Sequence, residues 1–179
     1  MLMDNDVLYL SPHIVSKIWG GRRLGKMKEL PSSKDLPIGE TWEISTHPKG
    51  ESFVPARETT LGKLIPQELS YLLKLIDTSD DLSVQVHPDD TYAREHESTR
   101  GKTECWLVLE AQEDRGIYLG VKKGVDRSQL EETIQEGGDV SKLLNFYEVS
   151  PGDFFYTPAG SIHAIGKGVT LLECQQNSG

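Results

Sequence analysis

Three segments of the chain carry side chains that could do chemistry. In LSVQVHPDD, Leu82 to Asp90, Gln85 and His87 stand two residues apart. In GKTECWLVL, Glu104 enters an otherwise apolar run, 17 positions after His87. In PGDFFYTPAGSIHAI, His163 follows a rigid corner made by Pro158 and Gly160. An acid at the mouth of an apolar strand is costly to bury unless it is paired or bound to a cation. Each residue alone would be ordinary; a strand histidine usually just makes a hydrogen bond. Together, Gln85, His87, Glu104 and His163 offer one amide oxygen, two imidazoles and one carboxylate. That mixed nitrogen and oxygen set suits a borderline cation such as Zn²⁺, with a position left for water or substrate. The four are far apart in sequence, so the fold must bring them together.

The elements that would do so are mostly strands. In Leu82–His87, Ser83, Gln85 and His87 share one face, while Val84 and Val86 take the other. The valines are expected against another layer, and the polar set faces water or lines a pocket. Other strand candidates are 41–45, 70–76, 104–109, 116–119, 145–149, 153–157 and 169–174. Asp126 with Gln129 three residues on predicts a capped helix to about Glu136. Shorter helices are expected over 90–97 and 140–144. Frequent Gly and Pro between short runs predict a mainly β fold, a sandwich, barrel or jelly roll with a few short helices.

The 179 residues suffice for a single domain, 1–179. A net charge of −9 argues against nucleic acid or an anionic membrane as partner. No apolar run approaches the roughly 18 residues of a spanning helix. The start, MLMDNDVLYLSPHIV, has no basic segment of the kind that opens a signal peptide, so a cytoplasmic protein is expected. Cys105 and Cys174 belong to no CxxC and read as small core residues in a reduced compartment. Arg22 and Arg23, after a Gly-Gly turn, read as surface residues within approach of a phosphate. His13, His47 and His96 lack a supporting constellation.

The run from Gly152 to His163, G-x5-P-x-G-x2-H, resembles the second metal-binding motif of cupins, with Lys167 where the usual Asn would stand. The first cupin motif is altered, Q-x-H with a distant Glu in place of H-x-H. QVHPDD with GKTE, GETWEIS, AGSIHAI and ECQQNS, in that order, resemble type I mannose-6-phosphate isomerase (phosphomannose isomerase) from KIWGGRRL to the chain end. The resemblance implies a cupin-type jelly roll and a zinc-dependent aldose–ketose isomerase interconverting mannose 6-phosphate and fructose 6-phosphate, with one Zn²⁺ per chain. It places the metal ligands on Gln85, His87, Glu104 and His163. The family's active-site lysine falls on Lys102, where metal and burial are expected to lower the pKa. Substrate-lining positions fall on Ser83, Glu40 and Trp42. The family continues past QQNS with an Asp, a Thr-Tyr-Arg motif and a further β-domain, whereas this chain ends at Gly179. Impaired activity and pairing with another chain, as a homo-oligomer, are expected on that account. The alternatives are a non-catalytic cupin that binds a sugar phosphate and a cupin oxygenase that uses iron.

Overall fold

The computed structural model describes residues 7–30, 37–65 and 67–178. In chain order the strands that build its two main sheets are β1 (His13–Gly21), β2 (Ile38–Ile44), β3 (Tyr71–Asp77), β4 (Gln85–Val86), β5 (Glu104–Ala111), β6 (Gly116–Val121), β7 (Leu144–Glu148), β8 (Phe154–Thr157), β9 (Ile162–Ile165) and β10 (Val169–Gln176). The larger sheet runs β1-β2-β3-β10-β5-β8 and the smaller β7-β6-β9-β4, with every paired neighbour antiparallel. The mainly β, two-sheet architecture agrees with the sequence reading.

Alternation along each strand decides which residues meet between the sheets. Ile76 on β3, Trp106 and Val108 on β5, and Val169 and Leu171 on β10 meet Ile117 on β6 and Ile165 on β9 in one buried cluster. Full burial of such a side chain contributes roughly 1.5–3 kcal/mol, so this cluster is the main adhesive between the layers. On the outer face of the larger sheet, helix α1 (Arg23–Met27) sets Leu24 against Ile38 and Leu75. Leu109 and Leu172 pack against that second cluster.

Helix α2 (Asp90–His96) starts where the Asp89 side chain accepts from the Tyr92 N–H. Helix α3 (Arg127–Gln135) carries the expected capping box between Asp126 and Gln129 in both directions. The expected helix over 140–144 is a single 3₁₀ turn, Val140–Leu143.

Three expectations need correction. The run Leu82–His87 is paired only over Gln85–Val86, and Val86 is 56% exposed rather than buried. The reason is that β4 is the outermost strand of the smaller sheet, with Val86 on the side away from the larger one. Cys105 and Cys174 are half-buried, because strand parity turns them to the outer face. β1 and β9 were not anticipated: Ser16 and Lys17 interrupt the apolar signal of β1, and β9 is only four residues long.

Candidate metal centre

The segments holding the candidate ligands are tied together through their backbones. The Gly160 N–H donates to the His87 carbonyl at 2.8 Å, and the Lys102 N–H to the Pro88 carbonyl at 3.0 Å. The Ala159 N–H donates to Thr103 Oγ1 at 3.2 Å. Two glycines permit this. Gly160 turns with φ +84°, a conformation that L side chains rarely adopt. At Gly101 a Cβ would lie 2.5 Å from the backbone of Asp89 and Asp90, so a side chain there would push the two loops apart.

The result is a compact group. His87, Glu104 and His163 each offer a ligand atom, all within 4.8 Å of one another. His87 Nε2 lies 3.4 Å from Glu104 Oε1, and His163 Nε2 lies 3.6 Å from Glu104 Oε2. Ligand atoms about 2.1 Å from a tetrahedral ion stand about 3.4 Å apart, so the spacing fits a small divalent cation. His163 donates its Nδ1–H to the Ser161 carbonyl at 2.9 Å, which leaves the Nε2 lone pair facing Glu104. Burial, the largest influence, lowers the pKa of His163 and favours the neutral ring that a metal requires.

Gln85 stands opposite His163 in the β4–β9 pair and lines the same pocket. Its amide nitrogen donates to Ser83 Oγ at 3.3 Å, leaving the amide oxygen as an acceptor. Lys102 is ion-paired with Glu104 Oε1, and its ammonium lies 3.2 Å from His87 Nε2. Burial pushes the pKa of Glu104 up, but the His87 ring and the Lys102 ammonium outweigh it and hold it at about 2. For Lys102 the expected direction is reversed. Burial lowers its pKa, but the carboxylates of Glu173 and Glu104 outweigh that effect and raise it.

Glu104 is buried, with two uncharged polar neighbours on its flanks. It pairs across the sheet with Thr157 on one side and Gln175 on the other. Glu104 Oε1 has the Lys102 ammonium and the His87 ring beside it, whereas among the described residues Thr157 Oγ1 and Gln175 Oε1 are buried without a hydrogen bond. Orphaned oxygens in one row are expensive unless something else binds there.

Gln85, Lys102, Glu104 and His163 form one side of a cavity of about 290 Å³ that also takes in Ser83, Glu40, Lys17, Trp19, Lys74 and Glu173. Trp42 is not among the lining residues; its Nε1–H donates to Glu40 Oε2 at 2.7 Å and its ring lies under the Lys74 ammonium. Arg22 and Arg23 do not line the cavity, and Arg23 pairs with the buried Asp77. His47 is buried against Trp42. Sequence reasoning missed Lys74 and Glu173. Lys74 pairs with Glu40 at 3.5 Å and Glu173 at 3.6 Å, while the Trp106 Nε1–H donates to Glu173 at 3.0 Å. Burial above all, then the Glu104 charge, pushes the Glu173 carboxyl up. Both residues interrupt apolar runs, YLLKLID and VTLLECQQ, and that same signal had drawn attention to Glu104.

Known proteins share this arrangement of elements. A mannose-6-phosphate isomerase of Streptococcus mutans is 41% identical over 97% of this chain. The crystal structure of the mannose 6-phosphate isomerase from Bacillus subtilis superposes with a TM-score of 0.84 at 38% identity, over 96% of this chain and 59% of that one. A mannose 6-phosphate isomerase solved bound with zinc and yttrium is 17% identical, covers 94% of this chain and 67% of that one, and at a TM-score of 0.71 shows the fold alone. The chain spans 58% of the length of the Streptococcus mutans relative. The sequence pattern of the phosphomannose isomerase type I catalytic domain matches residues 7–115. With that match over more than half of its length, the chain belongs to the type I phosphomannose isomerases.

Proposed function

We propose that this chain binds one divalent ion, zinc, through Gln85, His87, Glu104 and His163, and that it interconverts mannose 6-phosphate and fructose 6-phosphate. The observation that carries the reading is the His87–Glu104–His163 group beside a pocket with Lys102 paired to its central carboxylate. The names of the relatives, as mannose-6-phosphate isomerases, support the substrate. A bound divalent ion supplies Lewis-acid stabilisation of a substrate oxygen.

The remaining chemistry falls to the side chains. Moving the carbonyl from C1 to C2 of the open-chain sugar removes the proton at C2 and places negative charge on O1. A proton then returns to C1 as O2 becomes the carbonyl and passes its proton to O1. Lys102, held charged by its carboxylate neighbours, suits the role of donor to the developing oxyanion. Glu173 lines the same pocket with its pKa raised by burial, the direction that a proton carrier at neutral pH requires. Ser83 and Glu40 line the pocket and offer hydrogen bonds to sugar hydroxyls, with Trp42 holding Glu40.

The test is a coupled assay for fructose 6-phosphate formed from mannose 6-phosphate, with metal analysis of the same sample. Turnover that chelation abolishes and zinc restores is expected. Oxygen uptake with bound iron would replace this reading with an oxygenase. Sugar-phosphate binding without turnover would replace it with a non-catalytic binding protein.

A further inference from the structure

The chain has two cysteines, 69 positions apart, and the fold sets them face to face. In the β5–β10 pair, Cys105 lies directly opposite Cys174. Both are free thiols and half-buried. The Gln176 N–H donates to the Thr103 carbonyl at 3.0 Å, which marks those two residues as a hydrogen-bonded pair. Pair types alternate along an antiparallel ladder, so Cys105 and Cys174, two steps on, form a hydrogen-bonded pair as well, with Cα atoms about 5.5 Å apart. Disulfides span Cα separations of about 4.4–6.8 Å, so the backbone already stands at bonding distance.

The surroundings leave the pair approachable. Cys105 is flanked on β8 by Tyr156, which is 63% exposed, and β8 is the outermost strand of the larger sheet. The cluster under α1 covers Leu75, Leu109 and Leu172, a different part of the same outer face. Along the chain, Cys105 follows Glu104 and Cys174 follows Glu173. The thiols therefore sit on the reverse side of the two strands that floor the pocket.

We propose that Cys105 and Cys174 are a redox-active dithiol that closes reversibly into an intramolecular cross-strand disulfide. With a small disulfide as oxidant, one cysteine thiolate attacks a sulfur of the oxidant, forms a mixed disulfide and releases the first small thiolate. The second cysteine thiolate then attacks the mixed disulfide at the protein sulfur and expels the other small thiolate. The two protein thiols lose two protons and two electrons, and the small disulfide is reduced to two thiols. Side chains of a hydrogen-bonded pair stand farther apart than those of the alternate pair, so the bond closes under strain. Strained disulfides belong to the readily reduced class, which makes the closure reversible.

The folded chain is titrated with glutathione disulfide at fixed total glutathione. Free thiols are counted, intact mass is measured, and a non-reducing peptide map is made. The expected result is loss of both thiols together, a mass lower by two hydrogens, one peptide linking Cys105 to Cys174, and full reversal by excess glutathione. Cys174→Ser should stop at the mixed disulfide, with one glutathione added at Cys105. Circular dichroism after each step confirms that the fold is kept. Thiols that react only after denaturation, a wild-type chain that stops at the mixed disulfide, or bonds formed only between chains would each overturn the proposal.

Discussion

The inner face of the larger sheet has two ends that contrast sharply, although the same three strands build both. At one end, Ile76 on β3, Leu171 on β10 and Val108 on β5 lie side by side, all buried. Two residues along, the same strands present Lys74, Glu173 and Trp106, and beyond Trp106 on β5 stands Glu104. Glu173 and Glu104 are as deeply buried as Ile76, and Lys74 is buried too. Pleat parity decides only that these positions point inward; it does not decide what stands there. The apolar end needs nothing but close packing. The charged end is tolerable only because each charge has a partner, and charge pairs of this kind stabilise a fold little better than apolar residues of equal size. These charges suit the metal and sugar-phosphate binding proposed above better than they suit packing.

The comparison breaks most completely if the charged end can lose a ligand residue and still bind metal. His87→Ala and His163→Ala are each expected to weaken zinc binding by more than about 100-fold, the upper figure for disturbing a mere outer partner of a ligand. Turnover should fall with metal content, and both are read by metal analysis and assay of the same preparation. Near-normal zinc content in His163→Ala would remove this residue from the centre. Lys102→Met separates binding from chemistry. Zinc content should stay, because the ion replaces the lost positive charge beside Glu104, while turnover falls about 10²- to 10³-fold, as for loss of one oxyanion donor. Metal loss equal to that of the histidine variants would make Lys102 a structural partner only.

The apolar end is sharpened by the opposite result. Leu171→Ala should cost about 2–5 kcal/mol of stability through the cavity it leaves. The protein that remains folded should bind zinc normally, since Leu171 is not among the residues that line the pocket. Urea unfolding with and without zinc measures both quantities. A large loss of zinc affinity in the folded fraction would mean that the two ends are not separable.

These two ends were unequally legible in the sequence. Gln85, His87, Glu104 and His163 stood out because each is a ligand-type side chain in a setting that needs explaining. Lys74 and Glu173 carried the same signal, a charge inside an apolar run, but no local pattern pairs residues about a hundred positions apart; only the β3–β10 register does. Gly101 could not be read as a spacer, since what it makes room for is the backbone of another loop. The helix start at Asp126 was legible because its capping box is local. The exposure of Val86 was not, because alternation gives two faces without saying which is covered.

The smallest effect expected is a gradual one with pH, and it belongs to the charged end alone. Glu104 has its carboxyl held at about 2 in the folded chain against an ordinary value of 4.5. The unfolded chain therefore binds the proton first as pH falls. The stability contributed by the ionised carboxylate is complete above 4.5 and is lost as pH falls from there toward about 2. Burial opposes ionisation, and only the His87 ring and the Lys102 ammonium overcome it, so the contribution depends on those partners. In chelator-treated protein, the thermal midpoint of the wild type should decline through this window more steeply than that of Glu104→Gln, which has no proton to gain. Leu171→Ala should follow the wild-type slope, displaced to lower temperature at every pH, because a cavity between apolar side chains does not titrate. If the Glu104→Gln curve ran parallel to the wild type across the acid range, the Glu104 carboxylate would not be the ionised partner described, and the contrast between the two ends would reduce to one of shape.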